Sequence, residues 1–146
     1  MAGFGYGAAA YAQVDVDTAI LTASPHKLIS MLLDGALQTM NEAIGAMEKK
    51  DIPLKGKLLT KAIRILEEGL KSALNDEGGG ALSAHLRDLY DYMVMRLLQA
   101  NLQNDPKKIR EVIQLLGQIR EAWQALDEKL ANTPPTSTET VAVAKI

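Results

Sequence analysis

From Pro25 to Lys49 the chain reads PHKLISMLLDGALQTMNEAIGAMEK, and the spacing of its apolar residues decides the fold class. Leu28, Leu32, Ala36, Ala43 and Met47 recur at helical intervals on one side of an arc. Ile29, Leu33, Leu37, Met40 and Ile44 widen that arc to roughly 180° of the wheel, at about 100° per residue. A helix buried along one seam needs little more than about 100°. The surplus calls for a cover, either from elsewhere in the chain or from a partner. The ends of the segment are also marked. Ser24 is a good N-cap, and Pro25 takes the first helical position, where a missing N–H costs nothing. Lys49 and Lys50 stand at the negative end of the helix dipole.

Working outward, Asp51-Ile52-Pro53 makes a turn and a second helix start. Leu54, Leu58, Leu59, Ala62, Ile63, Leu66, Leu70, Ala73 and Leu74 then follow at helical spacing. Gly56 and Gly69 interrupt this helix at about 1 kcal/mol each relative to Ala, and are read as points of close backbone packing. Gly78-Gly79-Gly80 is the strongest breaker in the chain. A third helix, Ala81 to Gln103, carries Leu82, Leu86, Leu89, Tyr90, Met93, Leu97 and Ala100 on one face. Met95, Leu98 and Leu102 lie off that face. Asp105-Pro106 starts a fourth helix, with Ile109, Val112, Ile113, Leu116, Ile119, Trp123, Leu126 and Leu130 on one side.

Four helices joined by short turns predict an all-α, antiparallel up-and-down four-helix bundle over residues 22–130. Residues 1–21 read as a flexible N-terminal arm or short helix, with Val14, Ile20 and Leu21 available for docking. Residues 131–146, polar and rich in Pro and Thr, read as a disordered tail.

The 146 residues are 47% hydrophobic but only 4% aromatic, so the core is built from Leu, Ile, Ala and Met. Sixteen basic and eighteen acidic residues, net −2 and without a one-signed block, argue against non-specific nucleic-acid binding. The absence of cysteine excludes disulfides and thiolate metal sites and fits a reducing cytoplasm. No apolar run approaches the roughly 18 residues of a membrane span, and the Lys- and Arg-free start lacks the pattern of a secretory signal.

Di-metal bundles need Glu-x-x-His pairs, yet Ala23 and Leu82 occupy the positions three before His26 and His85. Both histidines are read as polar surface residues. No phosphate loop, nucleophile elbow or zinc spacing occurs, so no enzyme, metal or cofactor is expected. Trp123 and Tyr90 are assigned to the core; Tyr92 points elsewhere, as a recognition aromatic or a partly exposed filler.

Residues Thr22 to Leu37, TASPHKLISMLLDGAL, resemble the opening helix of the flagellar secretion chaperone family, FliS. Tyr11-Ala12-Gln13, Lys61-Ala62-Ile63 through Gly69-Leu70, and the glycine turn agree in order and spacing. So do Leu89-Tyr90-Asp91-Tyr92-Met93, Arg96 through Leu102, Glu111-Val112 and Ala122-Trp123. Leu33 departs from the pattern, which has an aromatic there. The resemblance implies a cytoplasmic helical-bundle chaperone without nucleotide or metal. Such a chaperone binds the disordered C-terminal region of flagellin, prevents premature polymerisation and helps present it to an export-gate component of the flagellar secretion apparatus. It also implies an N-terminal arm close to the client surface, and for Tyr11 a second candidate role in docking to the export gate.

Position off the main seam, with apolar or aromatic character, selects Tyr11, Ile29, Leu33, Leu37, Tyr92, Met95, Leu98 and Leu102 as lining the client surface. For each, packing against a neighbouring helix is the open alternative. A second function class is a self-associating adaptor or signalling bundle, in which the wide arcs pair across a homodimer.

Overall fold

The computed structural model describes residues 24–75 and 78–132. Four helices account for nearly all of them, and no strand occurs among the described residues. They are α1 (Pro25–Glu48), α2 (Ile52–Arg64, continued by the π-helical turns Ile65–Lys71), α3 (Gly80–Gln103) and α4 (Pro106–Asn132). The all-α bundle read from apolar spacing is therefore what forms. The expected arm, Tyr11 included, lies outside the described residues, as do residues 133–146 of the expected tail; the first two tail residues, Ala131 and Asn132, are instead the end of α4.

The starts follow the capping chemistry in the sequence. Ser24 Oγ accepts from the Lys27 amide at 3.1 Å, Asp51 Oδ1 from Leu54 at 3.2 Å and Asp105 Oδ1 from Lys107 at 3.0 Å. Lys50 and Asn104 close α1 and α3 at φ of 60° and 53°, the left-handed conformation that ends many helices.

Cross-helix pairs fix the direction of each helix. Lys55, in the first turn of α2, bonds Asn101 and Asn104 at the end of α3, and Lys71 pairs with Asp91. Glu111 of α4 meets Tyr92 and Arg96 of α3. Arg110 faces Glu48, Arg120 pairs with Asp34, and the Trp123 indole donates to the His26 carbonyl at 3.1 Å. Neighbours are antiparallel throughout, in the cyclic order α1-α2-α3-α4.

Three placements differ from the sequence reading. Leu33, expected off the main seam and lining the client surface, is wholly buried, alongside Ala36, Met40, Ala43 and Ile44. The arc is wide because α1 sits between two neighbours. Leu32 abuts α2 at Gly69, while Asp34 and His26 meet α4. His26 is likewise buried, its ring stacked on Trp123 at 4.5 Å, whereas His85 is at the surface. Finally, α2 does not stay α-helical to its end: Ile65–Lys71 is a π-helix. Leu66 and Leu70, four residues apart within it, are both buried against the core.

Candidate partner-binding surface

Helix α3 is apolar on two sides. Ser83, Tyr90, Met93, Val94, Leu97 and Ala100 form its buried face. Roughly opposite on the wheel, at about 100° per residue, stand Met95, Leu98 and Leu102, which are 56%, 51% and 88% exposed. Tyr92, 39% exposed, borders them on the side toward α4. From Tyr92 to Leu102 the stripe runs about 15 Å along the helix at 1.5 Å per residue. Scattered surface leucines need no explanation; a contiguous row on one helix does.

The border of the stripe is held by a polar cluster. Tyr92 Oη donates to Glu111 Oε2 and Arg96 Nε donates to Glu111 Oε1, each at 2.6 Å. Arg96 Nη1 donates to Gln99 Oε1 at 3.1 Å, and the guanidinium lies 6.0 Å from the centre of the Tyr92 ring. The bond from Tyr92, and then that from Arg96, hold the Glu111 carboxyl below its usual range. The same carboxylate raises the Tyr92 hydroxyl, so at neutral pH the phenol stays protonated as the donor. Glu111 thereby fixes the Tyr92 ring beside Met95 and ties α3 to α4.

The remaining residues expected at the surface are placed otherwise. Ile29 and Leu37 are half-buried and pack on the core, at the margins of the α1 arc, and Leu33 is within it. The candidate surface is thus brought together by α3 alone among the described helices. Sequence reasoning missed Glu111 as its support; the signal was an acidic residue on the flank of α4 turned toward α3. It also counted Leu54 and Leu82 with buried faces, but they are 43% and 48% exposed, each in the first turn of its helix where a neighbour ends. Among the described residues no group of three His, Asp or Glu side chains is arranged to hold a metal ion. No described helix is long and apolar enough to cross a membrane.

The family described as Flagellar protein FliS matches residues 7–130 of the chain. This chain belongs to the FliS family. It is 50% identical over 123 residues to the flagellar secretion chaperone FliS of Salmonella typhimurium, covering 84% of this chain and 91% of that protein. It is 42% identical over 116 residues to the flagellar secretion chaperone FliSB of Pseudomonas aeruginosa, covering 80% and 91%. With the Bacillus subtilis flagellar secretion chaperone FliS it shares 38% identity over 115 residues, 79% and 81% of the two chains. The FliS match contains the whole α3 stripe, the Glu111 cluster and Tyr11, and it stops at Leu130 before the polar tail.

Proposed function

We propose that this protein is a cytoplasmic, non-catalytic export chaperone that holds the C-terminal region of flagellin along the exposed face of α3. The observation that carries this reading is the Tyr92–Met95–Leu98–Leu102 stripe, an apolar row that no described helix covers, on a member of a family whose curated relatives are named flagellar secretion chaperones. A segment disordered on its own can lay an amphipathic helix on such a row, in the helix-in-groove manner. It loses conformational entropy on ordering, so it needs an extended contact to be held. A held segment is kept from polymerising with other subunits and can be presented to an export-gate component. Tyr11 and the arm serve as a movable cover of that surface and as a candidate gate contact. Ile29 and Leu37, at the margins of α1, extend the client contact if the arm or an adjoining helix gives way.

The test is size-exclusion chromatography and titration with a flagellin C-terminal peptide. The protein should form a stoichiometric complex, and Leu98→Asp or Met95→Asp should weaken it by about tenfold or more. Both side chains are half exposed, so the variants should keep their helical circular dichroism. A chain that ignores the peptide and self-associates through the same stripe would instead be the adaptor bundle.

A further inference from the structure

One end of the bundle differs in chemistry from the flank that carries the α3 stripe. Two contacts gather the α1–α2 and α3–α4 turns there. Lys55 Nζ donates to Asn101 O and Asn104 Oδ1, each at 3.1 Å, joining the start of α2 to the end of α3. Arg110 lies 3.8 Å from Glu48, joining the start of α4 to the end of α1. At this end Ile52, Leu54 and Leu102 project into solvent, 52%, 43% and 88% exposed. Around them stand Lys49, Lys50, Lys57, Lys107 and Arg110, all exposed. The carboxylates nearby are committed: Asp51 and Asp105 cap helices, Glu48 faces Arg110, and Glu111 holds Tyr92 and Arg96. Lys49, Lys50, Lys57 and Lys107 have no carboxylate partner among the described residues. Farther along α2 and α3 the signs are mixed, with Glu67, Glu68, Asp88 and Asp91 interspersed with Lys61, Arg64, Lys71 and Arg87.

We propose that this end of the bundle docks reversibly on an anionic bilayer surface. Ile52, Leu54 and Leu102 enter the headgroup layer, and the lysines are held by the lipid phosphates. A bilayer surface is negative at the level of the headgroups and apolar just beneath, which matches apolar tips ringed by unpaired cations. Lysine suits this position because its apolar stem follows the insertion while its ammonium stays in water. Leu102 is almost fully exposed and Ile52 and Leu54 about half, so their side chains stand free to enter a soft surface. Four unpaired lysines without a covalent lipid give attachment that salt reverses. The inference is independent of the client reading: Leu102 sits where the two surfaces meet, and Tyr92, Met95 and Leu98 remain on the free flank.

The test is co-sedimentation of the full chain with vesicles of phosphatidylcholine alone or mixed with phosphatidylglycerol, at low and at high salt. Binding is expected only to the anionic vesicles, and to fall with salt. The Lys49→Glu, Lys57→Glu, Lys107→Glu triple variant should lower the partition coefficient by about a hundredfold or more, since each cation is worth about fivefold and the factors multiply. Ile52→Ser should lower it without changing the salt dependence. Leu98→Asp should bind vesicles normally while losing the flagellin peptide, and the lysine variant should do the reverse. Equal partition on neutral and anionic vesicles, partition on neither, or an unchanged lysine variant would overturn the proposal. Lysine-dependent binding of a poly-glutamate peptide without vesicle binding would overturn it in favour of an acidic protein partner.

Discussion

Lys55 shows how a charged side chain becomes part of a helical core. It is only 5% exposed, and its ammonium donates to the Asn101 carbonyl near the end of α3 and to the Asn104 side-chain oxygen. Lys55→Met keeps the apolar stem but leaves both oxygens without their donor, and should cost about 1–3 kcal/mol in urea unfolding. Tyr90 makes a statement about alkaline pH. Burial pushes its hydroxyl from 10.0 up to about 12. Below pH 10.0 the phenol is neutral in both states; above it the unfolded chain ionises first, so stability is lost as pH rises toward about 12. The amount at stake is about 2–3 kcal/mol, and Tyr90→Phe should remove that part of the alkaline loss in denaturation at stepped pH. An equal loss in the variant would show that burial of this phenol is not its source. His26 owes its burial to its position and not to its polar type. It lies seven residues before the buried Leu33, and so on the same helical face, where the Trp123 ring covers it.

Among the helices, α2 shows that two glycines of the same appearance have different physical reasons. A Cβ built on Gly69 would come within 3.0 Å of Leu32 Cδ2, whereas one on Gly56 meets nothing within 4 Å. The close-packing reading therefore holds at Gly69 and not at Gly56. Gly56→Ala should stabilise the protein by about 1 kcal/mol, while Gly69→Ala should gain nothing. In a Leu32→Ala background the Gly69 penalty should disappear, so a double-mutant cycle in urea checks the contact. A Gly69→Ala gain equal to that of Gly56→Ala would show that Leu32 yields freely. For the candidate site, α3 was legible and α1 was not. Steps of three and four residues put Met95, Leu98 and Leu102 on a face apart from Met93 and Leu97, whatever the neighbours are. The α1 arc stated how much surface needed covering. It could not state that α2 and α4 between them would cover Leu33, because periodicity carries no information about crossing geometry.

For the bundle as a unit, the first described residue, Ser24, leads into the turn of α1 that His26 fastens to Trp123. The expected arm, residues 1–21, precedes this turn in the chain and is proposed above as a cover of the α3 stripe. Chains lacking residues up to Gln13, and then up to Leu21, should bind the flagellin peptide faster in stopped-flow mixing, with unfolding midpoints close to that of the full chain. Loss of binding from both deletions would make the arm a client contact instead of a shield. The number of helices, their caps and turns and the off-seam row on α3 all followed from the sequence, because they depend on spacing and on chemistry within a few residues. Which half of the α1 arc is core, the burial of His26, the π turn of Ile65–Lys71 and the support that Glu111 gives Tyr92 were decided by tertiary structure. Each depends on which helix lies alongside, at what angle and in what register, and those are set only when all four helices pack at once.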